Sequence, residues 1–138
     1  MTILNPYLGF RGDARAALDF YQSVFGGEII RSTFGEMHAS EDPAEVDLVM
    51  HSQLTTPGGL NLMASDTPGR MSYNPGDTIS VSLSGGPSDE AELTAFWEAL
   101  SGNGGSVTVP LMKAPWGDQF GMCADRFGVN WLVNIAGE

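Results

Sequence analysis

The chain has 138 residues, which is enough for one ordinary domain around a single core and too few for two comfortable ones. Six Lys and Arg against seventeen Asp and Glu give a formal net charge of −11. Such a field repels a phosphate backbone unless the cations are gathered in one place. Here they are scattered along the sequence, so no nucleic-acid partner is expected.

The hydropathy pattern argues against a membrane protein and against a secreted one. No segment approaches the roughly 18 consecutive apolar residues of a membrane span. The N-terminal sequence MTILNPYLGF lacks the basic region and long apolar run of a secretory signal. We therefore expect no membrane partner and a cytoplasmic location. The lone Cys123 excludes an internal disulfide and a zinc site of several thiolates, and we expect a buried, inert thiol there.

In the first half of the chain the pattern predicts one strand, one helix and three further strands. Apolar residues recur at helical spacing over Ala14–Phe25, with Asp13 as the N-cap and two glycines, Gly26 and Gly27, as the stop. The predicted strands are Leu4–Phe10, Glu28–Phe34, Val46–Leu54 and Leu60–Ser65.

The second half repeats this order after a linker. Pro, Gly, Asn and Ser dominate Asp66–Asp77, which is typical of a connection. A strand over Thr78–Leu83 follows, and then a helix capped by Ser88. Val107–Asn134 predicts three short strands, which are separated at Pro110, Pro115, Gly117 and Gly128.

Both halves therefore have the order strand, helix, strand, strand, strand. We interpret this as an internal repeat of a βαβββ unit, with halves at about 1–70 and 75–138. Neither half can bury its sheet alone, so residues 1–138 are expected to form a single α+β domain.

Alternating side chains in the strands separate an apolar row from a polar one. In the last strand, Trp131, Val133 and Ile135 form the apolar row, which suits the apolar stripe of a helix. The polar rows contain His51, Gln53, Thr78, Ser80, Asn130 and Asn134. These rows either line a concave binding surface or face solvent on the open side of an antiparallel sheet, and periodicity leaves both readings open.

Four residues bear on chemistry, and three of them lie outside this pattern. His51 is the best candidate for a ligand contact, with a hydrogen-bonded structural histidine as the alternative. Trp116 lies in a connection, where a large ring is unusual unless a ligand or a partner subunit covers it. Asp66 and Asp125 follow strands, and we expect them to close turns by accepting backbone N–H bonds rather than to act as acids or bases.

Several segments resemble a known family. The segments are PYLGFRGDARAALDFYQSVFGGE, VMHSQL, LNLMASD and PLMKAPWGDQFGMCADRFGVNWLVN. Together they look like the PhnB-like branch of the vicinal oxygen chelate superfamily, which includes glyoxalase I, extradiol dioxygenases and bleomycin-resistance proteins. The resemblance covers nearly the whole chain.

The resemblance implies paired βαβββ modules that form a curved, mostly antiparallel sheet around a cleft, with the helices on the outer face, within a homodimer. In the metal-using members, four cleft side chains, chiefly His and Glu, bind a divalent ion. Aligned on the first helix and the last turn, the four ligand positions fall at Pro6, near Gln53, at Thr78 and at Leu132. None of these is a customary ligand, so the resemblance implies no metal and no other cofactor in this chain.

PhnB-like proteins have also been labelled as similar to 3-demethylubiquinone methyltransferases. No G-x-G-x-x-G loop follows a strand and opens a helix in this sequence, as a nucleotide-like cofactor would require. We therefore do not expect a methyltransferase.

The function expected from the sequence is the binding of a small-molecule ligand by a protein without catalytic residues. The cleft residues that we expect are His51, Gln53, Thr78, Ser80, Asn130, Asn134 and Trp116. The alternative is a divalent-metal-dependent lyase or dioxygenase with a noncanonical site near His51. An interaction module that docks a basic partner through the acidic surface is a third possibility.

Overall fold

Each half of the chain follows the predicted order of strand, helix and three strands. The computed structural model describes residues 1–138, which divide into two units, Met1–Pro75 and Gly76–Glu138. The division lies inside the segment rich in Pro and Gly that the sequence indicates as a linker. That the two units make one domain stays a prediction.

The first unit is a four-stranded mixed sheet with one helix. Its elements are β1 Tyr7–Phe10, α1 Ala14–Phe25, β2 Glu28–Thr33, β3 Val49–Thr55 and β4 Asn61–Asp66. The strand order is β1-β4-β3-β2, in which only β1 and β4 are parallel. The helix buries Ala14, Ala17, Leu18 and Tyr21. Leu54, Leu62 and Ala64 supply the buried sheet side of this core, so α1 covers one face of the sheet.

The second unit repeats this arrangement. Its elements are β5 Val81–Gly85, a short 3-10 turn Pro87–Asp89, α2 Glu90–Ser101, β6 Ser106–Lys113, β7 Gln119–Ala124 and β8 Asn130–Ile135. The strand order is β5-β8-β7-β6, again with one parallel pair, β5 with β8. Leu93, Trp97 and Leu100 of α2 are buried, as are Trp131, Val133 and Ile135 of β8. The apolar row predicted for the last strand therefore lies on the helix side.

Several predicted features of the elements are wrong. The strands β1 and β3 begin at Tyr7 and Val49 rather than at Leu4 and Val46. The strand predicted to begin at Thr78 begins at Val81, because pairing with the parallel strand β8 starts there, with Val81 opposite Trp131. Thr78 and Ser80 therefore precede the strand and are exposed. Pro110 lies within β6 rather than ending a strand, since β6 is an edge strand whose register shifts there. Asp13 and Ser88 make no side-chain cap bond, and the residue preceding α2 is Asp89.

The fold class is α+β, as predicted, with two βαβββ modules that each carry a mostly antiparallel sheet. The strands form two separate four-stranded sheets rather than one continuous sheet. Neither helix combines the length and the apolar character needed to cross a membrane.

Candidate functional site

Each sheet has one side turned away from its helix, which we call its open face. Residues opposite one another in register share a face, so the pairing assigns these side chains. The open face of the first sheet carries Tyr7, Glu28, Ile30, Ser32, His51, Gln53, Thr55, Asn61, Met63 and Ser65. His51 and Gln53 thus lie on one face of β3.

A tyrosine and a histidine are hydrogen-bonded on this face. The hydroxyl Oη of Tyr7 lies 3.1 Å from Nδ1 of His51, and the two ring centroids are 5.7 Å apart. The bond fixes the orientation of the imidazole and leaves Nε2 of His51 without a protein partner. This nitrogen can donate or accept a hydrogen bond according to the tautomer. The contacts of His51 are therefore compatible with both roles expected from the sequence, a ligand contact and a hydrogen-bonded structural histidine.

Gln53 belongs to a small network of amides and a hydroxyl. Its Nε2 donates to Oδ1 of Asn61 at 3.0 Å and to Oγ1 of Thr55 at 3.2 Å, and that hydroxyl donates to the same Asn61 oxygen at 3.0 Å. The bonds hold three flexible side chains in one arrangement. Oε1 of Gln53 stays available as an acceptor and Nδ2 of Asn61 as a donor.

The open face of the second sheet combines apolar and polar side chains. One row across its four strands is Met112, Phe120, Asn134 and Ser84, and the next contains Met122, Leu132 and Ser82. Asn130 lies opposite Ala124 near the far end of the same face. This face is therefore less polar than the amide row of the last strand alone suggested, because β7 contributes Phe120 and Met122.

One end of this face holds an ordered carboxylate. Asp118 accepts a hydrogen bond from Nδ2 of Asn134 at 3.1 Å through one oxygen and from the backbone N–H of Gly137 at 3.0 Å through the other. The Gly137 N–H and then the Asn134 amide lower the pKa of the Asp118 carboxyl below its ordinary value, with a weaker contribution from Trp116. The ring of Trp116 meets that of Phe120 edge-on, with centroids 6.2 Å apart.

The residues expected to line one cleft are divided between the two sheets and a connection. His51 and Gln53 lie on the open face of the first sheet, and Asn130 and Asn134 on that of the second. Trp116 lies in the connection between β6 and β7 and is 66% exposed. The expectation that Thr78 and Ser80 extend a polar strand row is wrong, because both lie before β5.

Sequence reasoning missed four further residues of these faces, namely Tyr7, Asn61, Asp118 and Phe120. Period-2 reading of β4 and β7 could have found Asn61 and Phe120. Tyr7 was obscured by the neighbouring Pro6. Nothing local marks Asp118, since its partners Asn134 and Gly137 are distant in sequence.

Asp66 has the turn-closing role expected of it. Its carboxylate is 3% exposed and accepts backbone N–H bonds from Gly12 at 2.8 Å and Ala14 at 3.0 Å through one oxygen. The other oxygen accepts the N–H of Val49 at 3.0 Å. The N-terminus of α1 is thus capped by Asp66 across the fold, while the adjacent Asp13 makes no cap bond.

The residues present do not fit the divalent ion used by other members of the resembled superfamily. At the four aligned positions, Pro6 and Leu132 have no side-chain donor, Thr78 is outside the strand, and Gln53 offers only a neutral amide oxygen. No group of three or more His, Cys, Asp or Glu side chains is arranged to hold a metal ion.

The turns that open the helices are also poorly suited to hold a phosphate group, which helix N-termini bind through free backbone N–H groups. The N–H groups of Gly12 and Ala14 before α1 bond to Asp66. The N–H of Gly86 before α2 bonds to the Asp89 carboxylate at 3.0 Å.

Comparison with known proteins agrees with this architecture. A family described as 3-demethylubiquinone-9 3-methyltransferase matches residues 2–134. The crystal structure of protein PA1353 from Pseudomonas aeruginosa is 36% identical, with a TM-score of 0.83 over 100% of both chains.

Two further solved structures connect the chain to named groups. A protein from Bacillus cereus, described as a putative 3-demethylubiquinone-9 3-methyltransferase, PhnB protein, is 25% identical with a TM-score of 0.74, over 98% of this chain and 100% of that one. A glyoxylase/bleomycin resistance protein/dioxygenase domain from Frankia sp. EAN1pec is 17% identical with a TM-score of 0.65, over 100% of this chain and 93% of that one. The last similarity shows the fold alone, which is the glyoxalase/bleomycin-resistance fold.

Proposed function

The chain belongs to the PhnB-like family whose description is 3-demethylubiquinone-9 3-methyltransferase, and on that premise we propose that it binds a small organic molecule with apolar and hydrogen-bonding parts. The ligand contacts the open face of a sheet. Of the residues expected from the sequence, His51, Gln53, Asn130, Asn134 and Trp116 contribute to this binding.

The observation that carries the proposal is the composition of the open faces. Amide, hydroxyl and imidazole groups there lie beside Met, Leu, Tyr and Phe side chains, the mixture typical of small-molecule sites. None of the six cations belongs to these rows. Arg31 forms an ion pair with Asp19 of α1, and Lys113 lies opposite Gln119, whose amide bonds to Glu90 of α2, so both cations are on the helix sides of their sheets. The other four cations lie outside the strands, namely Arg11, Arg15, Arg70 and Arg126.

This composition favours recognition over chemistry. The amide and hydroxyl groups of these rows orient the polar parts of a ligand by hydrogen bonds, and His51 is the one imidazole among them. The methyl transfer in the family description is not assigned to this chain, because no G-x-G-x-x-G loop follows a strand and opens a helix in this sequence. A cytoplasmic homodimer, expected from the sequence and the resemblance, is part of the proposal.

The test is a ligand screen with the full chain, read by thermal shift and then by amide chemical shifts. Small aromatic amides such as benzamide are suitable first probes, because they combine a ring with a donor and an acceptor. We expect binding at millimolar concentration or tighter, with the largest shifts at open-face residues. His51→Ala should weaken binding to the first open face, and Asn134→Ala binding to the second, by roughly threefold to tenfold, which corresponds to a lost hydrogen bond.

Val107→Ala is the matched control, since Val107 is 50% exposed and pairs with Cys123 on the helix side of the second sheet. This change should leave the affinity unaltered. The proposal fails if no metabolite or aromatic amide shifts the melting temperature while His51→Ala and Asn134→Ala stabilise the fold. That outcome would identify the open faces as solvated surfaces.

A further inference from the structure

Four side chains of the second unit meet at one end of its open face. Trp116, Asp118, Phe120 and Asn134 are joined by the Asn134–Asp118 hydrogen bond at 3.1 Å, the edge-on contact of Trp116 with Phe120, and the register pairing of Phe120 with Asn134. We call this group the aromatic–carboxylate corner. It brings an exposed indole close to a negative charge on a face that is otherwise uncharged along its strands.

The carboxylate of the corner is fixed and ionised. Its two oxygens accept separate hydrogen bonds, from the Asn134 amide and from the Gly137 N–H, so the group cannot turn away freely. These bonds lower the pKa of the Asp118 carboxyl below its ordinary value, Gly137 contributing most. Asp118 therefore keeps its charge to a lower pH than an ordinary aspartate does.

The indole of the corner is available to a ligand. Trp116 is 66% exposed, and the edge-on contact leaves much of its ring surface uncovered. Tryptophan offers the best aromatic face for a cation, and the attraction grows when the cation loses water on binding. Met112, which pairs with Phe120 and is 61% exposed, adds a soft apolar surface next to the rings.

The surrounding charges also favour a cation. The net charge of −11 concentrates cations near the protein, and no Lys or Arg belongs to the open-face rows. Lys113, the only cation in the strands of the second sheet, pairs with Gln119, whose amide donates to Glu90 of α2 at 2.7 Å. That contact assigns Lys113 to the helix side of the sheet, opposite its open face.

We propose that the aromatic–carboxylate corner is a subsite for an alkylated ammonium group, so that the ligand class of this protein is an organic cation. The inference rests on the proposed binding function and specifies its ligand. The indole face of Trp116 contacts the alkyl groups of the cation, Asp118 balances its charge, and Oδ1 of Asn134, which has no protein partner, accepts a hydrogen bond from any N–H or O–H of the ligand.

The test uses two probes of the same shape, choline and its uncharged carbon analogue 3,3-dimethylbutan-1-ol, titrated into the full chain at low salt. We expect choline to bind at least about threefold more tightly and to shift the indole N–H resonance of Trp116, identified with Trp116→Phe. Trp116→Ala and Asp118→Asn should each weaken choline binding by about threefold to fivefold, and Asp118→Asn should change binding of the alcohol little.

Glu98→Gln is the control for net charge. Glu98 is an exposed residue of α2 whose side chain makes no hydrogen bond or ion pair, so its neutralisation removes one charge far from the corner. Choline affinity should not change. An equal loss with Glu98→Gln and Asp118→Asn would overturn the proposal, because it would show attraction to the overall charge only.

The two proposals fail in different ways. If choline and the alcohol bind equally, or if Trp116→Ala leaves choline affinity unchanged, the cation subsite is wrong while small-molecule binding stands. If neither probe binds and the aromatic amides also fail, both proposals are wrong. Trp116 is largely exposed, so its substitution gives a folded variant even if Asp118→Asn disturbs the end of the sheet.

Discussion

The carboxylate of Asp125 accepts a hydrogen bond at 2.8 Å from the indole Nε1–H of Trp131, six residues later in the chain. Trp131 is 2% exposed, so without Asp125 its donor would have no access to water. The other oxygen of Asp125 accepts the backbone N–H groups of Phe127 at 2.8 Å and Val129 at 3.1 Å. One carboxylate thus closes the β7–β8 turn and anchors the largest side chain of the second core.

Asp125→Ala should lower the free energy of unfolding by about 3 kcal/mol, because it leaves a buried indole donor and two turn amides without their acceptor. Urea denaturation at pH 7 measures this change. Asp125→Ala should lower the free energy of unfolding by less in a Trp131→Phe background, where the buried indole donor is already absent. Equal costs in the two backgrounds would mean that the indole bond contributes nothing to stability.

Asp66→Ala should be destabilising by about 2 kcal/mol, while Asp13→Ala stays within about 0.5 kcal/mol of the parent. The reason is that Asp66 accepts the N–H groups of Gly12, Ala14 and Val49, whereas the exposed Asp13 makes no cap bond. The same urea experiment compares both variants. A larger loss for Asp13→Ala would show that the adjacent aspartate is the true cap of α1.

Gly121→Ala should destabilise the second unit by about 1–3 kcal/mol through overpacking. A Cβ at Gly121 would lie 2.8 Å from Cη2 of Trp97 and 2.9 Å from the backbone Cα of Leu111. Gly9→Ala is the matched strand control, since nothing lies within 4 Å of its added Cβ. Thermal melting of both variants gives the comparison, and a Gly121→Ala protein that melts like the parent would contradict it.

Native Cys123 should react very slowly with a disulfide reagent such as DTNB at pH 8. Burial, with the Asp125 charge adding to it, raises the pKa of this thiol to about 11, so almost no thiolate is present. In urea the reaction should become fast. Because the unfolded thiol ionises near 9.0, this group also makes stability fall as the pH rises from about 9 towards 11. Rapid native labelling would show that the site opens readily.

Local patterns predicted some elements closely. The bounds of α1 agree with the structure at both ends, since helical spacing and the glycine pair at Gly26 are features of neighbouring residues. The apolar row of β8 was predicted for the same reason, because alternation within one strand does not depend on its partners. The start of β5 was not predicted correctly, since that strand begins where its pairing with the parallel strand β8 begins.

The sequence by itself determined the order of elements, the repeat of two βαβββ units, and the sides of the strands on which His51, Gln53, Asn130 and Asn134 lie. Tertiary structure decided that Asp66 caps α1 and that Asp118 meets Asn134. Periodicity is a property of adjacent residues and can be read along the chain. A hydrogen bond between residues far apart depends on strand pairing and turn geometry, which exist only once the sheet has formed.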